Sequence, residues 1–380
     1  MEQKEQPIDH KKAIENRLME SIKNKENVTK ERLEQAEKID FKGLPESIIA
    51  TDEFGFIKPE DKIKPVDPEA QKKEYLKINA RIEKWNEMMS NYKTYSTSKF
   101  SKLKSRTRKG IPDSLRGYVW QQFAKVSDFF KPNVYQSLVD DKECDQETEA
   151  VILKDLDRTF PHNFIFKDKY GSGQRSLYHV LRAYSKYNTA TGYVQGMGFI
   201  TALLLTYMDQ ESSFFFLHSL MKNYNMEGFY LPDFPALRKT FYVLLCLMKK
   251  FLPKIYDILK QNEIMPSMYA SEWFITLLTR DLDFKILVRI FDVFLLEGFK
   301  VMYRFTLALL KLQEDKFINA TGGIAGIMNV FKNILKIDNV EHLFDVAFGF
   351  SLSRSFIKKC EEQYEQVKND KENEHMALLI

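Results

Sequence analysis

Apolar residues recur at spacings of three and four along most of this 380-residue sequence, and no stretch sustains the alternation that is typical of strands. Between residues 69 and 92 such a series can form one buried helical face: Tyr75, Ile78, Ile82, Trp85 and Met89. Glycine (15) and proline (12) are too scarce for a turn-rich β architecture. We therefore predict an all-α fold, a non-repetitive stack of about a dozen or more helices.

The same spacing predicts further helices in the rest of the chain. One starts at Pro112, because proline suits the first helical position. Another carries Ile152, Asp155 and Leu156 and cannot continue through Pro161. The remaining helices are predicted at 177–184, 193–205, 212–222, 234–251, 255–262, 270–279, 284–296, 303–311, 324–335 and 342–348.

Residues 93–109 carry seven basic side chains and no acidic one. We interpret them as a solvated basic loop, with a surface for an acidic membrane or an acidic partner as the alternative.

Charge and cysteine content argue against several classes of protein. A net charge of +4, from 57 basic and 53 acidic residues, is too weak to indicate a nucleic-acid partner. The three cysteines, Cys144, Cys246 and Cys360, are widely spaced and form no metal or disulfide pattern, which suits a reducing, cytoplasmic compartment. The six histidines form no pair at metal-ligand spacing. No apolar run reaches the ~20 residues of a membrane span.

The stretch from Ile152 to Gly196 holds an arginine and a glutamine in two compact motifs. The first motif is Ile-x-x-Asp-x-x-Arg and ends at Arg158; the second is Tyr-x-Gln-Gly-Met and carries Gln195. A fixed positive charge and a neutral amide can stabilise a phosphoryl-transfer transition state and orient a water molecule. Taken alone, however, the arginine is more typical of a surface or helix-capping residue, and the glutamine of a helix start.

Together with other blocks in the same order, these motifs resemble the two finger motifs of the TBC family, the GTPase-activating proteins for Rab GTPases. The resemblance covers about residues 108–315. Phe215 and Phe291 stand where the family favours tryptophan, which affects packing only, and residues 52–85 resemble the ezrin-linked branch of the family. The further blocks are Gly110-Ile111-Pro112, Leu115-Arg116, Trp120, Leu177 to Tyr184, Ser271 to Phe274, Arg289 to Asp292, Glu297-Gly298 and Leu307 to Leu310.

The resemblance implies a two-lobed, all-α domain that accelerates GTP hydrolysis by a Rab-family GTPase in its GTP form. Arg158 would be the arginine finger and Gln195 the glutamine finger, both supplied in trans, so the chain would be an activator and not itself an enzyme. It would need no cofactor, because GTP and Mg²⁺ belong to the partner. The alternative is a catalytically inactive Rab-binding or scaffold protein on the same fold.

Four residues would support the two fingers. Asp155 would hold the guanidinium stem or its backbone, Ile152 would pack beneath it, and Tyr193 would border the groove that faces the GTPase. Gly196 follows the glutamine. We expect a cytoplasmic protein with room for a peripheral contact with an endomembrane or a scaffold, and no nucleic-acid partner.

These observations divide the chain into five regions. Residues 1–50 form a charged extension, helical and solvated or disordered, because its apolar residues are too sparse to bury much surface. Residues 51–107 join an extended linker, whose aromatic side chains pack onto the main domain, to a docking helix. The TBC domain spans 108–315, C-terminal helices packed on it span 316–356, and a charged tail spans 357–380.

Overall fold

The computed structural model describes residues 51–58 and 68–368, apart from residues 142 and 144. The extension predicted at 1–50 and the end of the tail lie outside the described residues. Within the described part, two isolated bridges are the sole β-type pairings, and all other regular structure is helical. The all-α prediction is therefore confirmed.

Eighteen α-helices make up the described part of the chain. In order they are α1 (Pro68–Ser90), α2 (Tyr92–Ser96), α3 (Phe100–Arg108), α4 (Arg116–Ala124), α5 (Val134–Asp140), α6 (Gln146–Leu156), α7 (Ser172–Tyr187), α8 (Met197–Leu205), α9 (Gln210–Asn223), α10 (Pro235–Phe251), α11 (Pro253–Gln261), α12 (Ser271–Ile275), α13 (Phe284–Glu297), α14 (Lys300–Leu312), α15 (Glu314–Ile318), α16 (Ile324–Asn333), α17 (Val340–Gly349) and α18 (Arg354–Val367).

The helices form two groups, as the two-lobed prediction requires. In the first group α7 packs against α5, α6, α8 and α9. In the second group α10 packs against α11, α14 and α18, while α14 also packs against α17. Helix α13 contacts α3, α4 and α14. Buried apolar side chains form one continuous core through both groups.

Helix α1 confirms the first periodic series only in its second half. Trp85 and Met89 are buried, whereas Tyr75 and Ile78 are exposed. The predicted docking face is therefore too long, because α1 reaches the core only from its middle onwards.

The interpretation of 93–109 as a loop is wrong. These residues form most of α2 and all of α3, and α3 buries Leu103 and Thr107 against α13. Two of the seven basic side chains bind one buried acid: Lys104 Nζ lies 3.2 Å and Arg108 Nε 2.7 Å from the Glu297 carboxylate. The helix was hidden because α3 contains just one large aliphatic residue among its charges.

Two predicted helix starts are also wrong. Pro112 precedes a 3₁₀ turn at Asp113–Leu115, so that α4 begins at Arg116. The helix predicted from residue 193 begins at Met197, because Gly196 has φ +107°, which no right-handed helix contains.

The predicted start of the charged tail, residue 357, is too early. Helix α18 continues to Val367 and buries Ile357, Cys360 and Tyr364. These three residues recur at helical spacing and form a narrow apolar stripe among charged residues.

A buried carboxylate joins several of the blocks that carry the family resemblance. Asp292 on α13 is fully buried and accepts hydrogen bonds from Ile111 N (2.8 Å), Trp120 Nε1 (2.7 Å) and Arg116 Nε (3.3 Å). Phe291, in a position where tryptophan is usual, packs edge-on against Trp120. These blocks therefore hold the start of the domain onto α13.

The segment 51–58 packs onto the domain through its aromatic side chains, as predicted. Phe54 and Phe56 lie against Phe284, with ring centroids 5.2 and 5.0 Å apart. Phe56 also contacts Phe160, two residues after Arg158. The segment thus lies against the loop that follows the predicted arginine finger.

Candidate functional site

Arg158 lies just past the end of a helix, as the position of Pro161 predicts. Helix α6 ends at Leu156, and the Thr159 hydroxyl donates to the Asp155 carbonyl at 2.7 Å. Phe160 then takes φ +46°, which turns the chain away from the helix axis. The turn fixes the backbone of Arg158 while its side chain points outwards and is 39% exposed.

The carboxylate of Asp155 holds the arginine side chain from below. Asp155 Oδ1 lies 2.6 Å from Arg158 Nη2, and the Asp155 side chain is only 5% exposed. The Tyr193 hydroxyl donates to Asp155 Oδ2 at 2.5 Å. Burial raises the pKa of Tyr193, and its hydrogen bond to Asp155 raises it further, so that Tyr193 stays a neutral donor.

Gln195 lies on the turn before α8 and meets the same guanidinium. Its amide oxygen accepts from Arg158 Nη1 at 3.0 Å and from Nη2 at 2.8 Å. The amide takes this orientation because the reverse one would place NH₂ against the N–H groups of arginine. Both side chains are exposed, so the arginine and the glutamine form a pair on the surface.

Gly196 allows the close approach of this turn to α12. A Cβ atom on Gly196 would lie 2.8 Å from Ile275 Cγ2, and its φ of +107° already disfavours any other residue. Ile152 is fully buried on α6, one turn before Asp155. The structure thus brings together, in one region, all six residues that the sequence singled out.

Sequence reasoning missed four exposed apolar side chains that lie near Arg158 along the chain, which we call the finger-side patch. Three of its members lie on the loop between α6 and α7: Phe164, Ile165 and Tyr170. The fourth, Leu153, is exposed on α6. The sequence feature that could have indicated them is a group of large apolar residues in a predicted loop, where they belong to no helical periodicity.

Asn163 was missed as well, and it organises the same loop. It is fully buried, its Nδ2 donates to Phe54 O at 3.0 Å, and its Oδ1 accepts from Ile165 N at 3.0 Å. Asn163 therefore ties the segment 51–58 to the residues that follow Arg158.

The described ranges contain no group of three or more His, Cys, Asp or Glu residues that could hold a metal ion. They also contain no helix that is both long enough and apolar enough to cross a bilayer.

The model of the Rab-GTPase-TBC domain family matches residues 113–318, more than half of the chain. The chain belongs to the TBC family. The matched region lies close to the 108–315 that the sequence motifs indicate, and it contains Arg158 and Gln195.

Curated relatives support the same assignment. The TBC1 domain family member whacked of Drosophila melanogaster is 32% identical over 274 residues, which cover 71% of this chain and 74% of that protein. The Ecotropic viral integration site 5 ortholog of the same species is 33% identical over 74% of this chain. The Rab GTPase-activating protein tbc-11 of Caenorhabditis elegans is 30% identical over 79%. The TBC chain spans about a third of the length of the last two, 34% and 32%.

Solved TBC structures share the fold. The Chlamydomonas flagellar RabGAP TBC domain is 25% identical with a TM-score of 0.60, and the match covers 79% of this chain and 99% of that one. The Ypt/Rab-GAP domain of Gyp1p has a TM-score of 0.58 at 20% identity, over 76% of this chain and 99% of that one. At that lower identity the likeness concerns the fold alone.

Proposed function

We propose that this TBC protein is a GTPase-activating protein for a Rab-family GTPase, and that it supplies Arg158 and Gln195 to the partner's nucleotide site. The observation that carries the proposal is the exposed pair itself: a guanidinium just past the end of α6, in contact with an amide on the turn before α8. The family assignment and the relatives named as GTPase-activating proteins support it.

The chemistry needs two groups that a GTPase site often lacks. The planar fork of Arg158 would contact the oxygens of the transferring phosphate and the bridging oxygen, where negative charge develops. The Gln195 amide would orient the attacking water through its oxygen. An arginine finger typically contributes about 10³ to 10⁵ in rate, or roughly 4 to 7 kcal/mol of barrier.

When the GTPase binds, Arg158 and Gln195 would give up their hydrogen bonds to each other and form hydrogen bonds to groups in the partner's nucleotide site. In the free chain the Gln195 oxygen accepts from Arg158 Nη1 and Nη2. Phosphate oxygens would replace that oxygen at the guanidinium, and the freed amide would bind water. Asp155 would remain beneath the arginine, since its carboxylate is buried and also held by Tyr193.

The finger-side patch would form part of the docking surface. Exposed large apolar side chains that lie near a functional group are candidates for contact with a partner protein. Phe164 and Ile165 belong to the same loop as Arg158, between α6 and α7, so a GTPase bound there would bring its nucleotide towards the fingers.

The partner would bring both GTP and Mg²⁺, and the TBC chain would bind neither tightly. Acceleration of hydrolysis would convert the GTPase to its GDP form and end its signal in membrane trafficking. A peripheral contact with a membrane or a scaffold would then serve to place the activator near its partner.

The test is single-turnover hydrolysis of GTP by a panel of purified Rab GTPases, each with a saturating amount of the 380-residue chain. We expect acceleration of at least one Rab, lost on Arg158→Ala and strongly reduced on Gln195→Ala. Arg354→Ala is the matched control, because it removes another exposed arginine, at the start of α18.

A pull-down on Rab loaded with a non-hydrolysable GTP analogue separates the two functions that the sequence left open. Binding without acceleration of any Rab supports the inactive scaffold and contradicts the proposal. Acceleration that survives both finger substitutions contradicts the mechanism.

A further inference from the structure

Helices α10 and α18 pack antiparallel in a regular register. Tyr242 on α10 contacts Tyr364 on α18, with ring centroids 5.8 Å apart. Two turns further along α10, Lys250 Nζ lies 4.2 Å from the ring centroid of Phe356, two turns earlier on α18. Cys246 lies one turn after Tyr242 on α10, and Cys360 lies one turn before Tyr364 on α18. The antiparallel register therefore places the two cysteines opposite each other.

The two cysteines open onto one cavity of about 420 Å³ at the surface between these helices. Cys246 is half-buried and reachable from the cavity, whereas Cys360 is 1% exposed. Lys249 and Lys250 also line the cavity. An oxidant small enough to enter would therefore meet Cys246 first.

The thiols interact, and the interaction makes them unequal. The contact with Cys360 lowers the pKa of Cys246, although burial opposes it, and the charge of Lys249 lowers it further. The same contact, together with burial, raises the pKa of Cys360. Cys246 is thus the better thiolate, and Cys360 keeps its proton.

We propose that Cys246 and Cys360 form an oxidation site for small peroxides, whose product is a disulfide that joins α18 to α10. The Cys246 thiolate attacks a peroxide oxygen: an S–O bond forms, the O–O bond breaks, and hydroxide leaves and is protonated to water. The Cys360 sulfur then attacks the sulfenic sulfur. The S–S bond forms, the S–O bond breaks, and hydroxide takes the Cys360 proton to leave as water. Two thiols are oxidised and the peroxide is reduced by the same two electrons.

The disulfide would tie the last helix of the described chain to the centre of the second lobe. Residues 246 and 360 are far apart in sequence, and a cross-link over so long a loop restricts the unfolded chain strongly. The site contains no residue of the finger pair, so its chemistry is independent of the proposed GTPase activation. In a reducing compartment the bond would be temporary, because thiol reductants reverse it.

The test uses the 380-residue chain, which is first reduced, then freed of reductant and treated with a small excess of hydrogen peroxide. Peptide mapping should find one intramolecular disulfide between the peptides that carry Cys246 and Cys360, reversed by dithiothreitol. Thermal unfolding of the oxidised chain should shift upwards by about 5 °C or more. An intermolecular bond, or a bond to Cys144, would overturn the proposal.

Three variants assign the roles. Cys360→Ser should leave a sulfenic acid on Cys246 that dimedone traps, Cys246→Ser should abolish rapid oxidation, and Cys144→Ser should behave as wild type. Circular dichroism shows whether each variant is folded. If a variant does not fold, the peptide map of the oxidised wild-type chain decides whether the Cys246–Cys360 disulfide forms. Trapping of dimedone mainly on Cys360 or Cys144 would contradict the proposed order of attack.

Discussion

The molecule contains two arginine–aspartate pairs that look alike in chemistry and differ in surroundings. Asp155 and Asp292 both have buried carboxylates, with side chains 5% and 0% exposed. Their partners differ: the Arg158 side chain is 39% exposed, and that of Arg116 is 7% exposed. One pair therefore presents its charge to solvent and the other keeps it within the core.

The remaining donors explain the difference. Asp292 also accepts from a backbone N–H and an indole N–H on other elements, so three segments of the domain meet at one carboxylate. Burial raises the pKa of Asp292, and the charge of Arg116 opposes that shift. Asp155 has Tyr193 as its second donor and leaves most of the guanidinium fork free for Gln195. The first arrangement suits a structural junction, the second a group that acts on a partner.

The largest expected effect is on the exposed pair. Arg158→Lys keeps the charge but loses the planar fork, so we expect it to be nearly as damaging as Arg158→Ala, a loss of about 10³ to 10⁵ in stimulated hydrolysis. Single-turnover rates with the most responsive Rab measure it. Stability should change by less than about 1 kcal/mol, because a cation remains beside Asp155. A lysine variant with most of the activity would show that charge alone suffices.

Substitution in the buried pair should mainly lower stability, whereas substitution in the exposed pair should mainly lower activity. Asp292→Ala removes the buried acid beside Arg116, leaving it the 54% exposed Asp113, and also removes the acceptor for Ile111 and Trp120. We therefore expect a loss of about 3 to 5 kcal/mol in the free energy of unfolding. Urea unfolding of the full chain measures it. Asp257→Ala, an exposed acid on α11, is the control and should change stability by no more than about 0.5 kcal/mol. If Asp292→Ala lowered stability as little as the control does, Asp292 would not be a structural junction.

These two pairs also show how far the sequence could be used. Asp155 and Arg158 are three residues apart near the end of a predictable helix, so their contact follows from helical geometry. The contacts of Asp292 with Ile111 and Trp120 join residues more than 170 positions apart, and only the fold sets them together. The Cys246–Cys360 contact was hidden for the same reason.

Local conformation was predictable where one strong signal acts alone. Pro161 fixed the end of α6 correctly. The start of α8 was misplaced because Val194 and Met197 continue an apolar pattern across Gly196, whose positive φ interrupts the helix and is not indicated by apolar spacing. Gln195 consequently lies on a turn, from which its amide reaches Arg158.

A moderate effect should come from the second donor of the exposed pair. Tyr193→Phe removes the hydroxyl that donates to Asp155 Oδ2 and leaves a buried oxygen without a partner, which costs about 1 to 3 kcal/mol in stability. The guanidinium should be less well fixed, and we expect stimulated hydrolysis to fall by about tenfold. Urea unfolding and single-turnover rates check the two effects. Tyr242→Phe, on α10, is the control. Unchanged stability and rate would show that Arg158 alone holds Asp155.

A third ion pair lies between the two extremes and gives the smallest effect. The Glu297 side chain is 6% exposed, while Arg108 and Lys104 are partly exposed, at 29% and 36%. Burial raises the pKa of Glu297, but the hydrogen bonds and charges of Arg108 and Lys104 outweigh it, so the pKa lies below its usual range. The pair therefore stabilises the fold above the unfolded-state pKa of about 4.3, and this contribution is lost as the pH falls through the lower folded-state pKa.

Glu297→Gln should accordingly cost about 1 kcal/mol at pH 7, since its amide oxygen can still accept from Arg108. Below the folded-state pKa of Glu297 the difference between the variant and the wild type should shrink, because protonation removes the same charge from the wild type. Urea unfolding of both chains between pH 7 and pH 3 measures the difference directly, and other titrating groups cancel. A difference that stays constant or grows in acid would mean that Glu297 acts through packing, as a core residue does, and that its charge is irrelevant to holding α3 on α13.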